Sequence, residues 1–369
     1  MKELIHRNSL LKIFFLLTLA TIITSGCRQN WLMFRYDPKR TGSIEKSEHL
    51  IVGEIAWKTE LGGKIFSSPS TDLNTIYVGS TDNNLYALDL KTGEPRFIFQ
   101  TGGDILSSPS IANGAVVFTS MDGNVYSVNC TSGEVNWVFR ARRGVVSSPA
   151  ISSGKVVFGS YDNYIYCISE KDGGLIWSIQ AKGGIWASPA IYREKTVISD
   201  TAGVIYCIDL RDGEVLWMKD LMMSLNSSPL IYEEKIYIGS MDGRIFCLSI
   251  EDGSIIWEYS VNKAIDSSPA IVENLLLFGS WNGVIYALQS EDGKLLWSLK
   301  TGRAVDATPA ISGNTAYIGS NDGSLYAIDT RNGEVRWKIT LGSELSASCS
   351  ITPLGIISAT TDGKVYLIR

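Results

Sequence analysis

The chain repeats itself eight times at an interval of 40 residues with no insertion, and this regularity constrains its fold more than any other feature. The register is marked by a small polar residue at Ser80 and every fortieth position to Thr360, with Asp200 in the fourth place. Six residues later comes an aromatic ring, from Tyr86 through Phe246 to Tyr366. A third series runs from Trp57 through Phe97 and Trp137 to Trp337. A fourth is a Ser-Ser-Pro run at Pro69 and onward to Pro309, with Cys349 in the eighth proline position. Repeats of about 40 residues built from short β-type runs and glycine-bearing turns are propeller blades.

One unit, residues 104–143, carries four apolar runs: 105–111, 115–120, 125–129 and 135–140. Asn113-Gly114, Asp122-Gly123 and Ser132-Gly133 separate them, as tight hairpins require. The runs are apolar on both faces, as in Val116-Val117-Phe118, which suits a sheet sandwiched between neighbours. The spacing therefore predicts an all-β fold, an eight-bladed β-propeller of four-stranded antiparallel blades. The Ser-Ser-Pro strand lines the axis, where only small side chains fit and a missing proline N–H costs little on a channel-facing edge. The last repeat stops at Arg369 after its third strand, and Ile55-Ala56-Trp57-Lys58 carries a fourth-strand signature with no blade of its own. The N-terminal strand is expected to complete the last blade, since an open sheet edge at either end is a liability.

Residues 1–26 differ in kind. Lys2, Arg7 and Lys12 precede the apolar run 13–23, the pattern of an export signal. Thr24-Ser25-Gly26-Cys27 resembles a bacterial lipoprotein cleavage box, with Thr24 where leucine is usual, and the resemblance implies lipidation of Cys27. The domain reading is a signal peptide at 1–26, a tether at 27–50 and the propeller at 51–369. Within the tether, Trp31 to Gly42 is too aromatic for a free linker, so part of it is expected to pack against the ring.

Ala87-x-Asp89-x-x-Thr92-Gly93-Glu94-x-x-Phe97 returns as Ala327-x-Asp329-x-x-Asn332-Gly333-Glu334-x-x-Trp337. This resembles the tryptophan-docking motif of PQQ-type (quinoprotein) propellers, in which an indole stacks on the glycine turn of the next blade. The resemblance covers residues 51–369. Quinoprotein dehydrogenases share the blade, and for them it implies PQQ and calcium at the funnel mouth. The chain has minimal loops and no vicinal cysteine pair of the kind that covers that cofactor. In architecture it is similar to BamB-like lipoproteins of the outer-membrane β-barrel assembly machinery, which are noncatalytic.

The repeat accounts for most conspicuous side chains. Trp and Tyr at fixed spacing are structural, and Cys167, Cys207 and Cys247 stand where other repeats have alanine. The two histidines, His6 and His49, both precede the ring, which argues against a Ser-His-Asp triad or a histidine-rich zinc site. Net charge −5 argues against a nucleic-acid footprint.

Positions where the repeats disagree are the candidates for function. The sixth residue of each repeat reads Phe66, Leu106, Val146, Trp186, Asn226, Asp266, Asp306 and Ser346, an apolar crescent facing a polar one around a funnel. Near these stand Arg143, Lys263 and Arg303, with Met121, Tyr161, Met241 and Trp281 from the second loop. The alternative reading is drift at exposed rim positions. Asp266 and Asp306 read as a solvated pair balanced by Lys263 and Arg303, with a cation or acid–base site as the alternative. The expected function is that of a noncatalytic scaffold, tethered to a membrane by lipid alone. It would act as a monomeric ring in the cell envelope, facing the periplasm or the cell surface. Its partners would be envelope proteins such as β-barrel assembly components, with no metal, cofactor or nucleic acid. The alternatives are a PQQ-dependent dehydrogenase and a carbohydrate-binding propeller.

Overall fold

The computed structural model describes residues 32–44 and 51–369. The expected signal segment, Cys27 and residues 45–50 lie outside the described residues.

The ring has eight four-stranded antiparallel blades. The third shows the plan, with Ala150–Ser152, Lys155–Gly159, Tyr164–Ser169 and Leu175–Gln180 running from axis to rim. The second and third strands are buried on both faces, as Val156, Val157 and Phe158 illustrate, and the outermost strand is exposed except at the buried Trp177 and half-buried Ile179. Strands apolar on both sides thus follow from blade-on-blade packing. In the outermost pair a bulge sets the register: Val135 faces Val128 and Trp137 faces Ser127, leaving Asn136 unpaired. Such a bulge re-aims the side chains beyond it.

Closure follows the expected plan. Ile55–Glu60 pairs antiparallel with Lys364–Ile368, placing Lys58 opposite Tyr366, and so supplies the fourth strand of the last blade. The Gly53 and Glu54 amides each donate to the Arg369 carbonyl at 2.8 Å, and Arg369 N–H returns a bond to Glu54.

Each indole docks on the following blade. Trp137 Nε1 donates to the Glu170 carbonyl at 2.8 Å, and the same bond recurs through to Trp337, whose acceptor is Ile51. The glycine of each docking turn is obligatory. At Gly173, with φ of 72°, a Cβ would lie 2.8 Å from the Trp137 ring. Phe97 breaks the series because it has no N–H to donate. There the hydroxyl of Tyr77, on the same blade, donates to the Cys130 carbonyl at 2.8 Å instead.

The free cysteines Cys167, Cys207 and Cys247 are fully buried, as alanine substitutes would be. Burial raises each thiol to a pKa of about 12, so none is a reactive thiolate.

Candidate binding site at the axial funnel

The second serine of the Ser-Ser-Pro run builds a girdle around the axis. Ser68 N–H donates to Ser108 Oγ, Ser108 N–H to Ser148 Oγ, and so on to Ser268. Thr308 N–H then donates to Ser348 Oγ and Ser348 N–H returns to Ser68 Oγ. These bonds of 2.9–3.0 Å join consecutive innermost strands, which are too far splayed for a ladder of their own. Small size is therefore half the reason for serine here; the other half is an acceptor for an otherwise orphaned buried amide.

Below the girdle the channel is filled by the chain's own residues 32–44. Their carbonyls take the free amides of the innermost strands in turn. Leu32 accepts from Ile111, Pro38 from Ile191, Lys39 from Ile231, Thr41 from Ile271 and Gly42 from Ile311. Ser43–Ile44 then lies parallel to Ala310–Ser312. Gly42, with φ of 68°, rests where a Cβ would meet Ala270 Cβ at 2.9 Å. The channel edge expected to be open is thus closed by this plug.

Two arginines of the plug supply donors to proline carbonyls that no serine reaches. Ser70 and Ser110 hydroxyls donate to the Pro109 and Pro149 carbonyls at 2.5 and 2.6 Å, and Ser350 does the same for Pro69. The third and fourth blades have Ala150 and Ala190 at this place. There Arg40 Nε donates to Pro189 at 3.0 Å and Arg35 to Pro229 at 2.9 Å. Both guanidinium groups flank the Phe34 ring, 5.4 and 5.6 Å from its centroid. Burial lowers Arg40 to a pKa of about 9, opposed by the charge of Asp37. Arg35 is also held well below the usual arginine range, by burial and then by the charge of Arg40.

Phe34 forms the floor of a cavity of about 170 Å³, walled by the serine girdle and by Phe66, Leu106, Trp186, Asn226, Asp266, Asp306 and Ser346. Seven of the eight sixth-position residues therefore converge as expected, and Val146 does not join the lining. Trp186 is 50% exposed and tilts against Tyr161 at 5.5 Å, and Phe66 is 42% exposed. These rings form the apolar wall.

The opposite wall is acidic. Asp306 Oδ2 accepts from Asn321 Nδ2 at 2.6 Å and its Oδ1 has no hydrogen-bond partner. Burial raises its pKa, against hydrogen bonds from Asn321 and Trp281. Burial and then the charge of Asp306 push Asp266 up to about 6. The expected balance by Lys263 and Arg303 is not what forms: Arg303 turns to Glu344 at 3.0 Å, and neither cation pairs with these carboxylates. The arginine and Glu344 side chains are both exposed while the two aspartates are half-buried, so the exposed carboxylate captures it. Arg143, Met121 and Met241 stand outside the lining, and Trp281, 47% exposed, reaches it only through Asp306.

Other carboxylates on this face are structural. Asp122 accepts from Tyr126 Oη at 2.6 Å, from Asn124 N–H and from Gly102 N–H, and three further blades repeat the tyrosine contact. In the fourth blade Ala202 replaces that aspartate; Asp200 accepts instead from Tyr206 Oη, Val204 N–H and Gly183 N–H, and Tyr206 Oη accepts from the Lys182 amide. Phe34 and Asn321 are site residues that the sequence reading missed. Asn321 heads the same second loop as Tyr161 and Trp281, so its position in the repeat was the available signal.

A family model described as outer membrane protein assembly factor BamB matches residues 50–160, 142–264 and 201–361. No curated protein matches the chain. Among solved structures, BamB from Moraxella catarrhalis is 14% identical, with a TM-score of 0.75 over 86% of this chain and 100% of that one. The computationally designed Ika8 protein is 17% identical, with a TM-score of 0.78 over 86% and 99%. Quinohemoprotein alcohol dehydrogenase from Comamonas testosteroni is 12% identical, with a TM-score of 0.81 over 92% and 80%. At such identities these likenesses show the fold, which scaffold and dehydrogenase share. The family model spans the repeats almost from end to end, and the chain belongs to the BamB family of PQQ-type propellers.

Proposed function

We propose that this chain is a noncatalytic scaffold of the cell envelope, tethered through Cys27, which binds a partner protein at its funnel face in outer-membrane protein assembly. The observation that carries the reading is the two-sided cup: exposed Trp186 and Phe66 on one wall, Asp266 and Asp306 on the other, over a floor closed by Phe34. A protein segment presenting an apolar side chain beside a basic one meets both walls. Aromatic anchors of this kind cost about 2 kcal/mol or more each when truncated in a protein interface. Trp186→Ala with Phe66→Ala is therefore expected to weaken capture of an envelope partner by at least thirtyfold while the ring's melting temperature holds. Unchanged binding would refute the assignment.

The dehydrogenase neighbours raise the question of PQQ and calcium, and the residues present do not fit that group. The cavity of about 170 Å³ falls below the roughly 300–1,000 Å³ of small-molecule sites. Calcium takes six to eight oxygens, and among the described residues no third His, Cys, Asp or Glu joins Asp266 and Asp306. Reconstitution with PQQ and calcium followed by a dye-linked assay is expected to give no turnover.

A further inference from the structure

We infer that the plug fixes which face of the ring meets the membrane: the face of the short turns lies against the lipid bilayer, and the funnel points away from it. The inference rests on the lipidation of Cys27 and goes beyond it, because lipidation alone leaves the ring free to turn.

Leu32 is the first plug residue, and its carbonyl holds the Ile111 amide at 2.6 Å. Ile111 is in the innermost strand Ser110–Ala112, one residue before that strand ends, and the Asn113–Gly114 turn follows on the face opposite the funnel. Leu32, the first described residue, therefore sits at the turn-face end of the channel. The chain cannot pay out further, since successive plug carbonyls are bonded to amides of five innermost strands and both arginines are buried.

Only five residue steps separate Cys27 from Leu32, a reach of about 17 Å even when fully extended. The outermost strand of a blade lies three strand spacings from the axis strand, about 14 Å, and the six-residue outer strand is about 20 Å tall. An anchored chain passing around the rim to the funnel face would need about 34 Å, twice what is available. The direct route through the axis is blocked by Phe34. Acyl chains on Cys27 can therefore enter a bilayer only beneath the turn face or at the lower edge of the second blade.

Headgroup attraction does not contribute to this arrangement. The turns facing the bilayer mix exposed acids such as Glu233, Asp252, Glu273 and Glu291 with exposed Lys91, Lys171, Arg211 and Lys294, and Glu234 and Glu251 are paired with Arg193 and Lys195, so the face offers an anionic leaflet no basic patch. Tether length and the plug alone set the orientation, and the funnel is left open to a partner on the side away from the lipid.

The test uses the full-length lipoprotein in phosphatidylcholine vesicles containing nitroxide-headgroup lipids. A fluorophore is placed at Asn274→Cys on the turn face or at Asn262→Cys on the funnel face, in a Cys130→Ala background. Both sites are exposed. The mass of the mature N-terminal peptide reads acylation independently. Quenching at position 274 is expected to exceed that at 262 by at least twofold, and a ten-residue Gly/Ser insertion between Gln29 and Asn30 is expected to abolish the difference. Acylated protein with equal or reversed quenching overturns the orientation alone. A mature chain with no acyl group on Cys27 overturns the lipidation reading and the orientation with it.

Discussion

Replacing one docking indole by phenylalanine should cost very different amounts in two adjacent blades, because the two acceptor carbonyls have different second donors. In the fifth blade Trp257 Nε1 and Tyr237 Oη both donate to the Ser290 carbonyl, each at 3.1 Å. In the sixth, Trp297 Nε1 donates to Thr330 at 2.8 Å, and the place of the tyrosine is taken by Leu277, which has no hydroxyl. Trp257→Phe and Trp297→Phe lose the same apolar area against Gly293 and Gly333, so the difference between them isolates the carbonyl. An orphaned buried acceptor costs about 1–3 kcal/mol. Since a turn carbonyl regains some water, about 1–2 kcal/mol is the working figure. With an unfolding entropy of about 2.1 cal/mol/K per residue over a ring of about 320 residues, that is a melting temperature lower by about 1.5–3 °C in Trp297→Phe than in Trp257→Phe. Adding Leu277→Tyr recreates the natural pairing of Tyr77 with Phe97 and should recover most of the loss. Differential scanning calorimetry of the three variants reads the effect. Equal losses in the two single variants would refute the idea that a hydroxyl can stand in for the indole N–H.

Two further outcomes follow from the axis. Arg40→Met leaves the Pro189 carbonyl without a donor, because Ala150 has no hydroxyl to offer, so the plug should loosen while the ring stays folded. Hydrogen exchange at Ile191 and Ile231, whose amides the plug covers, is expected to quicken at least tenfold, and unchanged protection would count against the accounting of proline carbonyls. Asp266 has a native pKa pushed up to about 6, above the roughly 3.9 of an unfolded aspartate, so the native state binds more protons between these values and stability falls as pH rises from about 4 through about 6. Asp266→Asn should flatten that slope and stabilise the ring by about 1–2 kcal/mol at neutral pH, once its partial exposure is discounted, as urea midpoints at pH 4 and 7 would show.

The ring was legible because its determinants recur. Forty-residue spacing gave the blade count, the glycine turns gave the docking sites, and the stray Ile55–Lys58 run gave the latch. The sixth-position series likewise brought seven residues to one funnel. The plug was not legible beyond its aromatic content, because residues 32–44 have no period and their partners are backbone amides that any strand offers. A trace of it lay in the repeats all the same. The residue after the proline position is serine at Ser70, Ser110 and Ser350 but alanine or leucine elsewhere, so some carbonyls needed donors from outside the ring. The exchange of Asp200 and Ala202 was similarly visible as a paired departure, and the contacts of Asp200 with Tyr206, Val204 and Gly183 explain it. The Arg303–Glu344 pair lies at the opposite extreme. Side-chain direction on an exposed loop is set by local competition among charges, which spacing does not record.

The most direct test of a funnel-facing scaffold is site-specific photo-crosslinking in intact cells. Benzoylphenylalanine at Phe66 and Trp186 is compared with the same probe at Ile256 and Leu296, which are exposed on outermost strands. A discrete envelope-protein adduct at the two funnel positions, absent from the two outer-strand positions, is the result expected. Adducts confined to the outer strands, or none at the funnel in cells that carry the acylated protein, would contradict the account.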